Sequence, residues 1–106
     1  MSRREVKLRP AARQDVAAAA AWYAEESGEI VARRFIDGVR ATLDHIGNHP
    51  SSGSRRYATL CGLTGLRNLT LKGFPYMVFY IERREWADVL RVLHAARDIP
   101  ESLRST

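Results

Sequence analysis

The run Tyr76-Met77-Val78-Phe79-Tyr80-Ile81 constrains this chain more than any other stretch. Successive residues of a strand point to opposite faces, so Met77, Phe79 and Ile81 share one side and Tyr76, Val78 and Tyr80 the other. Both sides are apolar, which suits a central strand with a neighbour on each edge. Pro75 has no N–H to give to a sheet ladder and therefore belongs at the start of this strand, where it fixes the turn after Gly73. Two further strand-like runs flank it, residues 66–71 and 87–95, joined to it by residues 72–75 and by a charged turn around Arg83-Arg84-Glu85. Connections this short imply antiparallel pairing.

The first half of the chain has a different period. Glu5-Val6-Lys7-Leu8-Arg9 alternates polar and apolar and reads as a strand that joins the later three. From Pro10 or Ala11 the chain runs to Glu26 through five consecutive alanines, a helix opened by proline in its first turn. Val16, Ala20 and Tyr23 form one stripe of that helix, and Asp15, Ala19, Trp22 and Glu26 another, so one side can face the core and the other a neighbour. Ser27-Gly28 breaks it. Residues 29–47 form a second helix with Phe35, Val39, Leu43 and Ile46 at core spacing, while Arg33, Asp37, Arg40 and Asp44 mark a solvated side. A break this short folds two helices into an antiparallel hairpin.

Residues 48–65 shift to Pro, Ser, Gly, Arg and Thr without periodicity, which predicts a long connection with an extended or bulged middle around residues 57–60. Residues 98–106 read as a turn of helix after Pro100 or a loose tail. The expected architecture is α+β in the order β-α-α-β-β-β. A small antiparallel sheet carries the N-terminal helix hairpin on one face, and the other face is a concave surface bearing Tyr80 and other polar groups. One domain spans residues 1–106.

Charge narrows the partners. Lys and Arg number 17 against 12 Asp and Glu, a net charge of +5 at pH 7. Only Lys7 and Lys72 are lysines, so the excess is guanidinium, which suits phosphate or carboxylate pairing. Cys61 stands alone, leaving no intrachain disulfide and no multi-cysteine metal site. No apolar run approaches the ~20 residues of a membrane helix and the start of the chain has no signal-peptide core, so a cytoplasmic protein is expected.

Leu66-Arg67-Asn68-Leu69, then Gly73-Phe74-Pro75-Tyr76-Met77-Val78-Phe79-Tyr80, then Val89-Leu90-Arg91-Val92-Leu93-His94-Ala95-Ala96-Arg97-Asp98 resemble the three strand motifs of the ParE/RelE toxin superfamily in order and spacing. Val6-x-Leu8-x-Pro10-Ala11-Ala12-x-x-Asp15 and Trp22-Tyr23 look like its first strand and helix. The resemblance implies a type II toxin–antitoxin toxin with a role in plasmid stabilisation, bound in a hetero-oligomer to a ParD-like antitoxin and using no cofactor or metal.

Two actions follow from the resemblance. RelE-like members cut messenger RNA on the ribosome, which needs a base for the 2′-hydroxyl, cations for the phosphorane and an acid for the leaving oxygen. Arg67, His94 and Arg97 are the candidates for that chemistry. The tail that follows, Asp98-Ile99-Pro100-Glu101-Ser102-Leu103-Arg104, has no tyrosine and two carboxylates, so the set looks incomplete. ParE-like members bind and disable DNA gyrase, and His94-x-x-Arg97-Asp98 is similar to their ending. The ParE-like action is therefore expected, with His94, Arg97, Asp98 and Arg104 toward the target and Trp22, Asp15 and Ala19 toward the antitoxin. The alternatives are the ribosome-dependent endoribonuclease and an inactive relic that only binds antitoxin. The bland readings are local: a hydrogen-bonded His94, an Arg97–Asp98 pair that pins the chain end, Arg67 packed by its stem, and Tyr80 in the core with a satisfied hydroxyl.

Overall fold

The structure is a computed structural model and describes residues 3–104. Its elements are β1 (Glu5–Leu8), α1 (Pro10–Ser27), α2 (Glu29–Asn48), α3 (Arg56–Cys61), β2 (Leu66–Thr70), β3 (Tyr76–Glu82), β4 (Trp86–His94) and α4 (Ile99–Arg104). The four strands form one sheet in the order β1-β4-β3-β2, which makes β3 central as its two apolar sides require. Residues 105–106 of the expected tail lie outside the described residues.

β2, β3 and β4 pair antiparallel, but β1 pairs only with β4 and does so in parallel, with Glu5 opposite Trp86 and Leu8 opposite Val89. The expected all-antiparallel pairing of the first strand is corrected here, and the reason is topological. The helix hairpin carries the chain away from the end of β1 and back to its start, where Arg4 N–H donates to Gly47 C=O at 2.8 Å. β2 then leaves in the direction of β1, and two reversals bring β4 into that direction again. Alternation in Val6 and Leu8 fixes which side chains face inward, not which way the strand runs.

Both long helices lie on the same face of the sheet, as expected. Gly28, at φ 90°, makes the break between them, a conformation that a Cβ would strain. Phe35, Val39 and Ile46 of α2 meet Ala12 and Ala19 of α1 and Val78, Tyr80, Val89 and Val92 of the sheet. Tyr23, Phe35, Phe74 and Tyr76 join them through ring pairs with centroids 5.1 to 6.2 Å apart. Four of these five pairs are edge-on and one is tilted, and aromatic pairs add roughly 0.5–1.5 kcal/mol each beyond the area they bury. Arg33, Asp37, Arg40 and Asp44 are exposed.

The opposite face corrects two expectations. Residues 56–61 are helical, not extended, and α3 and α4 together cover Leu66, Met77, Phe79, Leu90 and Leu93 with Tyr57, Ala58, Cys61, Ile99 and Leu103. That face is a second apolar layer and not an open concave surface. Tyr80 sits instead on the hairpin side, wholly buried. Its hydroxyl donates to Pro50 C=O at 2.8 Å and accepts the Gly53 N–H at 3.0 Å. A Cβ on Gly53 would lie 2.5 Å from that hydroxyl, so the loop closes this tightly only with glycine.

Candidate functional site

β1 is short, and what happens where it stops defines the site. Arg9 N–H donates to Val89 C=O at 3.0 Å, and Pro10 then starts α1, so β4 runs on to His94 with no strand on its outer edge. A bulge begins at the same level: Phe79 is opposite Arg91 and Tyr80 opposite Val89, which leaves Leu90 as the extra residue. Leu90 drops into the second layer, and Arg91 turns to the open edge.

The Asp15 side chain from α1 takes the place of the missing strand at one position. It accepts the Val92 N–H at 3.0 Å and binds Arg91 through Nε at 2.7 Å and Nη2 at 2.8 Å. Arg91 Nη1 reaches Ser102 C=O of α4 at 2.8 Å, so one guanidinium ties together α1, β4 and α4. The two side chains are 11% and 12% exposed. The Asp15 hydrogen bond raises the Arg91 pKa, burial opposes it, and the Asp15 charge adds to it. Removing either partner strands a charge in a nearly dry place, at a cost of about 3–5 kcal/mol.

Beyond this brace a groove opens between α1 and the end of β4. Asp15, Ala18, Ala19 and Trp22 form one wall, and Tyr76, Val92, Leu93, His94 and Arg97 the other. Arg97 also borders a neighbouring depression with Arg91, Asp98, Glu101 and Ser102. Trp22 is 55% exposed and meets Tyr23 edge-on at 5.1 Å. His94 Nδ1 accepts the Ala96 N–H at 3.0 Å, so the neutral ring carries its proton on Nε2. Its ring packs edge-on against Tyr76 at 5.1 Å. Burial pushes the Tyr76 phenol up, Tyr23 and Asp15 add to the shift, and Arg97 opposes it. Among the described residues the Arg97 guanidinium has no ion-pair partner.

The groove therefore unites residues that the sequence assigns to two different partners. Trp22, Asp15 and Ala19 line it, and so do His94 and Arg97. Their states differ. Trp22 and Arg97 are exposed, Ala19 is buried in the hairpin layer, and the carboxylate of Asp15 is engaged by Arg91. Asp98 stands beside the groove and caps α4, its Oδ1 accepting the Glu101 N–H at 3.2 Å, so it is not simply a partner for Arg97. Arg104 lies at the far end of α4, where its charge opposes the burial that raises the Cys61 thiol.

Arg67 is elsewhere. Its Nη1 donates to Ser51 C=O and Gly53 C=O, both at 2.9 Å, and so holds the loop that Tyr80 also pins. Arg67 pairs with Tyr80 and His94 with Tyr76, four residues along β3 and one strand to either side of it. At about 3.3 Å per residue and 4.8 Å per strand, their backbones are roughly 16 Å apart. The three nuclease candidates are thus not one constellation. Sequence reasoning also passed over Arg91 and Tyr76, although a lone arginine in an otherwise apolar strand signals a buried partner. Among the described residues no group of His, Cys, Asp and Glu could hold a metal ion, and no helix is long and apolar enough to cross a membrane.

Comparison with known proteins agrees with the resemblance in the strands. The family model described as the ParE toxin of the type II toxin–antitoxin system parDE matches residues 6–99. A solved structure titled as the chromosomal ParDE TA system from P. aeruginosa superposes with a TM-score of 0.73 at 19% identity, over 86% of this chain and 95% of that one, and so shares its fold. No curated protein matches.

Proposed function

We infer the action of this chain from the family it belongs to, the ParE toxins of type II toxin–antitoxin systems: in the cytoplasm it disables DNA gyrase until a ParD-like antitoxin binds it. The observation that carries this reading is the groove at the open end of β4. It offers an exposed tryptophan, an exposed guanidinium and an imidazole, which are groups that anchor a protein partner. As an RNA-cleaving site it lacks parts, because Arg67 is spent on a loop and the carboxylate of Asp15 is spent on Arg91. We further infer that antitoxin and gyrase use this groove in turn, so that neutralisation is occlusion of the groove that the target needs.

The experiment adds purified protein to gyrase with plasmid DNA and, separately, to translating ribosomes. This reading expects reduced supercoiling, trapped cleaved DNA and intact messenger RNA. Site-specific RNA cuts with gyrase unaffected would overturn it, and inertness in both assays would favour the relic. Point variants serve better than truncation after Arg97, because Ile99 and Leu103 cover Met77, Phe79, Leu90 and Leu93.

A further inference from the structure

We propose that the antitoxin occupies this groove as a fifth strand, parallel to β4 and opposite Leu93, and brings a carboxylate to His94 and Arg97. The proposal rests on the reading that the antitoxin binds at this groove, and deepens it.

Ala95 N–H donates to Pro75 C=O at 2.8 Å, so in this part of the ladder Leu93 and Arg91 exchange hydrogen bonds with β3, while Val92 and His94 turn theirs to the outer edge. On that edge the Val92 N–H is taken by Asp15 at 3.0 Å and the His94 C=O by the Arg97 N–H at 3.0 Å. Among the described residues, what remains unpaired is the Val92 C=O and the His94 N–H. An antiparallel neighbour bonds to both groups of a single residue, and neither Val92 nor His94 has both free. A parallel neighbour bonds to the C=O of one residue and the N–H of the residue two further on. The two free groups are that pair, and β1 already runs parallel to β4 just below them.

Side chains then set the composition of the guest. In a parallel pair, aligned residues point to the same face. The residue opposite Val92 therefore faces Ala19 and Trp22 and is apolar. The one opposite His94 meets the groove that His94 and Arg97 line, where the imidazole has its Nε2–H to donate and Arg97 has no ion-pair partner among the described residues, and is Asp or Glu. Two other edges remain, but β1 has only four residues, with the Arg4 N–H before it already donated to Gly47 C=O, and Ser54 bridges the outer edge of β2 at Asn68, with N···O distances of 2.9 Å each way. β4 is left as the better template.

The test measures amide hydrogen exchange by NMR in the free protein and with the full-length antitoxin encoded beside it. The proposal expects the His94 amide to slow at least tenfold in the complex, the Thr70 amide on the β2 edge to keep its rate, and Arg97→Glu to weaken binding at least tenfold. A complex in which His94 exchanges as in the free protein overturns the added strand and leaves the antitoxin reading standing. Absence of any complex overturns both.

Discussion

The two ends of β4 are each held by a carboxylate, paired with two arginines at one end and with a single arginine at the other, and they end differently. At the lower end, Asp88 binds Arg9 through two contacts of 3.0 and 3.1 Å and Arg83 through two of 2.9 and 3.2 Å, inside a complete β1–β4 ladder. At the upper end, Asp15 binds Arg91 and one backbone N–H, and no strand follows. A helix-borne carboxylate can stand in for a strand at one position only. The lower end is thereby closed, whereas the upper end is stable but unfinished, and the free hydrogen-bonding groups, Trp22 and Arg97 all collect there.

Disrupting the upper brace has the largest expected effect. Arg91→Met leaves the Asp15 carboxylate buried without its cation and should cost about 3 kcal/mol. For a domain of this size that lowers Tm by more than roughly 10 °C, readable by circular dichroism. A loss as small as that of a surface pair would mean that the brace does not hold the upper end.

Trp22→Glu separates function from stability at the same end. Trp22 is exposed, so Tm should move little, within about 0.5 kcal/mol of wild type. Antitoxin affinity measured by calorimetry should fall by about 2 kcal/mol, or roughly thirtyfold. Unchanged affinity would remove Trp22 from the interface.

The lower end should respond least. Both arginines that reach Asp88 are more than a third exposed, so solvent screens the pair and Asp88→Asn should cost only about 1 kcal/mol. Burial alone raises the Asp88 pKa, but hydrogen bonds and charge from Arg9 and Arg83 outweigh it and hold it below the ordinary 3.8. A depressed carboxylate contributes stability above its unfolded pKa and loses it as pH falls through the folded value. The difference between Asp88→Asn and wild type in denaturant melts should therefore be constant above about pH 5 and vanish as pH drops below 3.8. A difference that persists in acid would give Asp88 a role other than charge.

Much of this architecture was legible because it repeats locally. The alanines of α1, the spacing of Phe35, Val39 and Ile46, and the two-sided run of β3 each state their element over several periods. α3 and α4 have six residues apiece, less than two turns, so the Gly and Pro around α3 read as loop and the segment after Pro100 reads equally as a turn of helix or a loose tail. The direction of β1 leaves no trace in alternation. The Asp15–Arg91 brace joins residues 76 apart, and its one local sign was an arginine among valines and leucines. The groove residues were found separately, Trp22 by its off-core stripe and His94 and Arg97 by family likeness. That they face one another follows only from where β1 stops.

The central claim is that one groove at the open end of β4 serves antitoxin and target alike, and Arg97→Glu tests it most directly. Arg97 is exposed and has no ion-pair partner among the described residues, so reversing its charge should leave the fold intact by circular dichroism. The account predicts that antitoxin affinity and gyrase inhibition both fall at least tenfold in this one variant. A folded Arg97→Glu protein that loses one of the two and keeps the other in full would contradict it.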